Sequence, residues 1–345
     1  DLRWECSDPD GDPLSYDIYF GTDSNPSLVE ANLPSNTYSI SELRAGTSYS
    51  WRIVARDVYS YETSSPIWSL IISELVLLGN YDTESYPGDV FVSADHAYMI
   101  DITPNLIIID ISDSRSPALA SVFSLPDIAT DIFVADAHAY VADSHSGLLI
   151  IDISNPASPI SEGSYDASGR VQGVFVNGDY AYVTDDGPEG LSILNVADPG
   201  NPSLIGICNT PGNAYKVFVD GSCAYVADGY EGLQIIDISN PQTPTILGSC
   251  DTPGNAIRVF VAGDYAYVAD YDLGLQMINV SNLYAPTLVQ GYETPGRAID
   301  INDPTNPSQI EHCFISGFTK GLFTSGNKIY VTNSHHGLMI FQFNP

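Results

Sequence analysis

The segment Gly178-Asp179-Tyr180-Ala181-Tyr182-Val183-Thr184-Asp185 is one copy of an element that returns along the chain. Ala-Tyr-Val-(Ala/Thr)-Asp recurs with its tyrosine at Tyr140, Tyr182, Tyr225 and Tyr267, and Ala97-Tyr98-Met99-Ile100-Asp101 is a degenerate earlier copy. The intervals are 42, 42, 43 and 42 residues. Ahead of each tyrosine lies an apolar stretch, such as 174–176 or 217–219, joined to it by a Gly/Asp turn. Behind it come a Gly-Leu-x-Ile stretch (190–194, 232–236), an Asn-Pro-x-x-Pro type of turn and a fourth apolar segment. Four short strands with turns every 8–12 residues, repeated at ~40–45 residues, describe a propeller blade. A solenoid is the rival, with repeats that are usually shorter. β-Branched and aromatic residues dominate and no 3.6-residue period appears, so helices are expected to be nearly absent.

The ends point to ring closure. The last unit has three strands, 321–324, 328–332 and 337–343, while residues 74–82 read Glu-Leu-Val-Leu-Leu-Gly-Asn-Tyr-Asp, like the fourth strands at 203–209 and 245–251. An N-terminal strand completing the last blade removes two exposed edges at once. Tyr267 and Tyr330 are 63 residues apart where two repeats need about 84, so half a blade is missing at Ala298/Ile299. Residues absent at that break, with the numbering closed over it, give seven blades; a true deletion gives six or a distorted ring. The fold class is thus all-β: a β-propeller over 74–345, closed by strand 74–82 and incomplete at Ala298/Ile299, preceded by a truncated β-sandwich over 1–72.

The chain has 345 residues, with 43 acidic and 11 basic side chains and a formal charge of −32. That balance excludes a nucleic-acid binder, which needs a basic stripe, and suits cations, basic partners or a saline exterior. No apolar run approaches the ~18 residues of a membrane helix. Five cysteines (Cys6, Cys208, Cys223, Cys250, Cys313) have no paired spacing and read as buried free thiols. The chain starts in mid-pattern, and upstream residues are expected.

Within 1–72, Leu43-Arg44-Ala45-Gly46-Thr47-Ser48-Tyr49 followed by Ser50-Trp51-Arg52-Ile53-Val54-Ala55 resembles the tyrosine corner of fibronectin type III domains. Trp4, the turn Asp8-Pro9-Asp10-Gly11-Asp12 and Tyr16-Asp17-Ile18-Tyr19-Phe20 fit the B and C strands of that family, with no first strand before Leu2. The later units resemble LVIVD-repeat proteins in segments such as Leu148-Leu149-Ile150-Ile151-Asp152 and in the Asp-Ile-Ser-Asn-Pro turns at 152–156 and 237–241. That resemblance implies a surface or secreted propeller and transfers no catalytic residue.

Candidate metal ligands follow from the carboxylates. The tyrosine strands end in Asp101, Asp143, Asp185, Asp228, Asp270 and Asn333, with Asp186, Glu189, Glu231 and Asp272 in the next loops and Asp127, Asp166, Asp251 and Glu293 between blades. These loops share one face of a propeller, where clustered carboxylates suit Ca²⁺. Recurrence in every unit equally suits a structural turn, each aspartate accepting from its own backbone. Asp8, Asp10 and Asp12 form a second possible Ca²⁺ loop, although Tyr19 stands where an EF-hand needs its closing Glu. His145, His335 and His336 occupy corresponding loops of non-adjacent blades, and His96 and His138 read as half-buried strand residues. Lys216 and Arg258 match in neighbouring first strands; they either grip an anion in the channel or pair with Asp89 and Asp131. Asn279-Val280-Ser281 is a glycosylation sequon on an expected strand.

No nucleophile elbow, phosphate loop or zinc-protease motif occurs. The reading is a non-enzymatic extracellular protein that binds or assembles at a cell surface, in a filament or layer, with a protein or glycan partner and no cofactor beyond Ca²⁺. The alternative is a polysaccharide-directed enzyme, or a Ca²⁺-dependent glycan binder, on the acidic face. Unlike residues converging from several blades would mark the enzyme.

Overall fold

The computed structural model describes residues 2–8, 10–40, 43, 47–71, 74–83, 85–187, 189–292, 299–300, 308–309, 319–325, 328–333 and 337–344. The chain forms two compact units, residues 1–76 with 342–345, and residues 77–341.

In the first unit Leu2–Arg3 pairs with Thr37–Tyr38. A second sheet runs Ser27–Leu33, Ser15–Gly21, Ser48–Arg56, and the last of these also receives Glu62–Ser64 and Trp68–Ile71. Alternation puts Tyr16, Ile18 and Phe20 on the inner face, packed with Leu2, Trp4, Tyr49, Ile53 and Ala55.

In the second unit the repeats become four-stranded antiparallel sheets, consistent with a propeller-like arrangement. The first repeat sheet is Pro87–Ser93, His96–Asp101, Asn105–Asp110 and Ala118–Ser124. The second is Asp131–Ala135, His138–Ala142, Leu148–Asp152 and Ile160–Tyr165; the third is Val171–Asn177, Tyr180–Asp185, Leu191–Asn195 and Ser203–Cys208. The fourth is Lys216–Asp220, Cys223–Ala227, Leu233–Asp237 and Thr245–Cys250; the fifth is Arg258–Ala262, Tyr265–Ala269, Leu275–Asn279 and Thr287–Tyr292. A C-terminal sheet of Thr319–Ser325, Lys328–Asn333 and Gly337–Asn344 takes Glu74–Tyr81 as its fourth strand. The only helices among the described residues are two 3-10 turns, Ser144–Ser146 and Tyr271–Leu273.

One aromatic residue per first strand ties the sheets in order. Phe323, Phe91, Phe133, Phe175, Phe218 and Phe260 form a belt with successive ring centroids 4.7, 4.9, 4.8, 5.4 and 5.1 Å apart. Between sheets the second and third strands of one pack on the first and second strands of the next, as Tyr140, Ala142 and Ile150 do on Val171, Val174 and Ala181. Strand 74–81 stands to the first repeat sheet as the other fourth strands stand to theirs: a Cβ on Gly79 would lie 2.6 Å from the Ser114 carbonyl, and Gly163, Gly206 and Gly248 are similarly pressed on Pro199, Pro241 and Leu283. The step from the fifth sheet to the C-terminal sheet runs through 293–318, where Ile299–Asp300 pairs with Ser308–Gln309. At the expected half-blade break Ala298/Ile299, Ala298 lies outside the described residues, as does Cys313. Cys208, Cys223 and Cys250 are free and buried, whereas Cys6 is free but exposed, because it precedes the open Asp8 turn rather than lying on a core strand.

Candidate functional site

Strand register places two groups of residues at one end of the repeat unit. The first strands of the second, fourth and fifth sheets begin at Asp131, Lys216 and Arg258, paired with Ala142, Ala227 and Ala269 at the ends of the tyrosine strands. The loops that follow those strands therefore surround the same end as the charged side chains.

The charged group comes from four sheets. Lys216 Nζ lies 3.2 Å from Asp89 Oδ2, also contacts Asp131 Oδ1, and donates to the Thr130 carbonyl at 3.1 Å. Arg258 Nη2 lies 2.9 Å from the same Asp89 oxygen, and Asp131 Oδ2 accepts from the Val174 backbone at 2.8 Å. The pairing alternative for Lys216 and Arg258 is the one realised. Burial works against the charge of Asp89, but Arg258 and Lys216 bring its carboxyl well below the usual range. Burial pushes Asp131 up to about 6, with Lys216 opposing and Asp89 reinforcing the shift. The quartet borders a cavity of about 390 Å³ whose other walls include Phe91, Phe133, Phe260 and Phe323. Tyr267, Ala269 and Leu275 also line it, at positions where Tyr225, Ala227 and Leu233 of the fourth sheet pack on the sheet that follows.

The repeat aspartates serve their own loops. Asp228 accepts from Thr210 Oγ1 at 2.7 Å and Gly212 N at 2.9 Å; Asp270 accepts from Thr252 Oγ1 and Gly254 N, both at 2.8 Å. Asp185 accepts from Gly187 N at 2.7 Å, and Asp101 from Thr103 Oγ1 at 2.9 Å and from Ser85. Asp143 accepts from Asp127 N at 3.1 Å through Oδ2, but its buried Oδ1 has no partner. The reason is a single side chain: Leu125 stands where the fourth and fifth units carry Thr210 and Thr252. Burial, with the Asp127 charge nearby, pushes Asp143 up to about 6.

Asp143, Asp185, Asp228 and Asp270 stand at the ends of the tyrosine strands of four separate sheets. Asp8 Oδ1 accepts from Asp10 N at 2.8 Å and Asp12 N at 3.2 Å, a turn closed by its own first residue. Among the described residues no three carboxylate, histidine or cysteine side chains converge on a common metal position. His145 Nδ1 lies 3.0 Å from Asp127 Oδ2 and 3.4 Å from Ser144 Oγ. One ring nitrogen facing both partners is not a relay, which needs the serine and the acid on opposite nitrogens. His335 and His336 lie outside the described residues. His96 and His138 are half-buried strand residues, and Asn279 Oδ1 accepts from Ser281 N at 3.0 Å, in the same turn that Asp152 and Asp237 make with Ser154 and Ser239.

Sequence reading missed the loop tips. Tyr230 is 77% and Tyr271 65% exposed, in the loops after Asp228 and Asp270. The signal was present: Tyr230 stands where the second unit carries His145, and Tyr271 where it carries Ser144 and the fourth carries Gly229.

The LVIVD-repeat family model matches residues 86–124, 127–167, 168–210, 211–252 and 253–294. The chain belongs to the LVIVD-repeat family. Its matched copies are the five repeat sheets, whose third strands end in Asp110, Asp152 and Asp237 or in Asn195 and Asn279, each side chain accepting from the backbone two residues on. No curated protein matches the chain. Among solved structures, this LVIVD-repeat chain is similar to virginiamycin B lyase from Staphylococcus aureus, with 9% identity, TM-score 0.62, and coverage of 79% of this chain and 99% of that one. A streptogramin B lyase gives 10% identity, TM-score 0.61, and 79% and 98% coverage. A functionally unknown protein from Desulfotomaculum acetoxidans DSM 771 gives 14% identity, TM-score 0.56, and 84% and 95% coverage. At these identities the likeness is one of fold.

Proposed function

We propose that the protein is an extracellular binding protein: a fibronectin-III-like module joined to a closed propeller of LVIVD repeats, whose loop end meets a surface partner or neighbouring subunits. The observation that carries this reading is the use of the repeat aspartates. In the fourth and fifth units the aspartate clamps the loop leading into its own sheet with two hydrogen bonds, so the tips are held out on a fixed frame. Biotinylation of intact producing cells is expected to label the chain; labelling only after lysis would overturn the location.

A second reading, an enzyme at the same end, draws on two observations. A lysine, an arginine and two aspartates from four sheets meet at the cavity, and two fold relatives are named as lyases. Against it, both carboxylates and both cations of the quartet are already ion-paired. Mass spectrometry of virginiamycin B and of polysaccharides incubated with the chain separates the readings. The binding reading expects both to be unchanged; turnover that disappears in Asp131→Asn would replace it with the enzyme.

A further inference from the structure

The loop after each tyrosine strand turns at the residue following the repeat aspartate, and in three units that residue has positive φ. The fourth unit uses Gly229 at φ +63, whereas the second and fifth use Ser144 at +42 and Tyr271 at +45. Glycine adopts this conformation freely; a bulky aromatic residue does so under strain. Strain kept at an exposed tip is a pointer to use. Tyr271 gains nothing from burial that would offset it, since it is 65% exposed.

Tyr271 and Tyr230 stand on one hydrogen-bonded frame. Gly229 and Ala256 exchange backbone bonds, Gly229 N to Ala256 O at 3.1 Å and Ala256 N to Gly229 O at 2.9 Å. These join the Tyr230 loop to the segment leading into the fifth sheet. The same segment is held by Asp270 through Thr252 and Gly254, directly before Tyr271. The two tyrosine loops of adjacent sheets are thus joined through the 252–256 segment, by backbone bonds on the Gly229 side and by the Asp270 carboxylate on the other.

We propose that Tyr230 and Tyr271 form an aromatic platform that binds a neutral glycan chain. Tyrosine offers a large, rigid, amphipathic face at low entropic cost, with a hydroxyl for hydrogen bonding, which suits the C–H faces and hydroxyls of a sugar ring. The charge of −32 selects against anionic polymers. This inference rests on the binding reading above and names the partner's class.

Affinity electrophoresis of the full chain tests it, in gels containing laminarin, mannan or galactan, with alginate as the anionic control. Retardation is expected in at least one neutral gel and not in alginate. In the retarding gel Tyr230→Ala and Tyr271→Ala are expected to weaken binding tenfold or more, and Tyr271→Phe to retain it. Tyr271→Gly adds a readout that a structural tyrosine would not give: binding falls while the melting temperature rises. No retardation in any neutral gel, undiminished binding by the Ala variants, or a lower melting temperature for Tyr271→Gly would overturn the proposal. A chain that labels on intact cells yet passes every gel unretarded loses this inference alone.

Discussion

At Asp143 one substitution within the repeat changes a carboxylate's physics. Thr210 and Thr252 give Asp228 and Asp270 a hydroxyl, and Leu125 gives Asp143 none. A buried acceptor without a donor costs free energy when charged, and the group answers by binding its proton more tightly. With the folded value at about 6 and the unfolded one near 4, the stabilisation is complete below pH 4. It is lost as the pH rises through 6. Asp143→Asn removes this titration, so the variant is expected to gain on the wild type from pH 5 to pH 8, by about 1–2 kcal/mol at the upper end. Thermal melts across that range check it; a difference that does not grow with pH contradicts the account. Sequence alone showed the recurring acids and allowed two uses for them, cations or turns. Spacing alone does not show which donors reach a carboxylate: those that bond Asp228 and Asp270 lie sixteen to eighteen positions earlier in the chain.

At the scale of the strand and sheet, far more was legible. The tyrosine spacing and the apolar stretches on either side of it placed the first two strands of each of the five repeat sheets and the third from the second sheet on, because a strand buried on both faces leaves little freedom in register. Even the pairing of Glu74–Tyr81 with the C-terminal sheet was readable, since Gly79 falls where Gly206 and Gly248 fall in their strands. The structure supplies the reason for that glycine: it lets the turn of the next sheet approach the bulged fourth strand. In Gly206→Ala the new Cβ would overlap the Pro241 carbonyl oxygen, a backbone atom that cannot swing away. We expect a loss of about 1–3 kcal/mol by denaturant unfolding. Gly21→Ala, where a Cβ would meet nothing within 4 Å, is the control and should stay within about 0.5 kcal/mol. Equal effects for the two would contradict the packing argument. Less legible were the loop tips, because one-letter spacing carries no φ; only the contrast between Gly229 and Tyr271 hinted at strain.

Across the whole repeat unit, the charges at the mouth connect residues remote in sequence. Asp89 meets Lys216 and Arg258, 127 and 169 residues later, so the first repeat sheet faces the fourth and fifth rather than receding from them in a line. A linear stack of the same sheets would place these groups far apart, and the Phe belt would not hold them in reach. The quartet carries no net charge while both acids are ionised, and breaking one partner leaves a charge stranded at low dielectric. The most direct measurement is a double-mutant cycle on Asp89→Asn and Arg258→Gln, read by denaturant unfolding at pH 7. Sheets gathered around an axis predict a coupling of at least about 1 kcal/mol, with the double variant better than the sum of the singles. Additive effects within about 0.3 kcal/mol would mean that the two strands do not face each other, and the radial arrangement would fall.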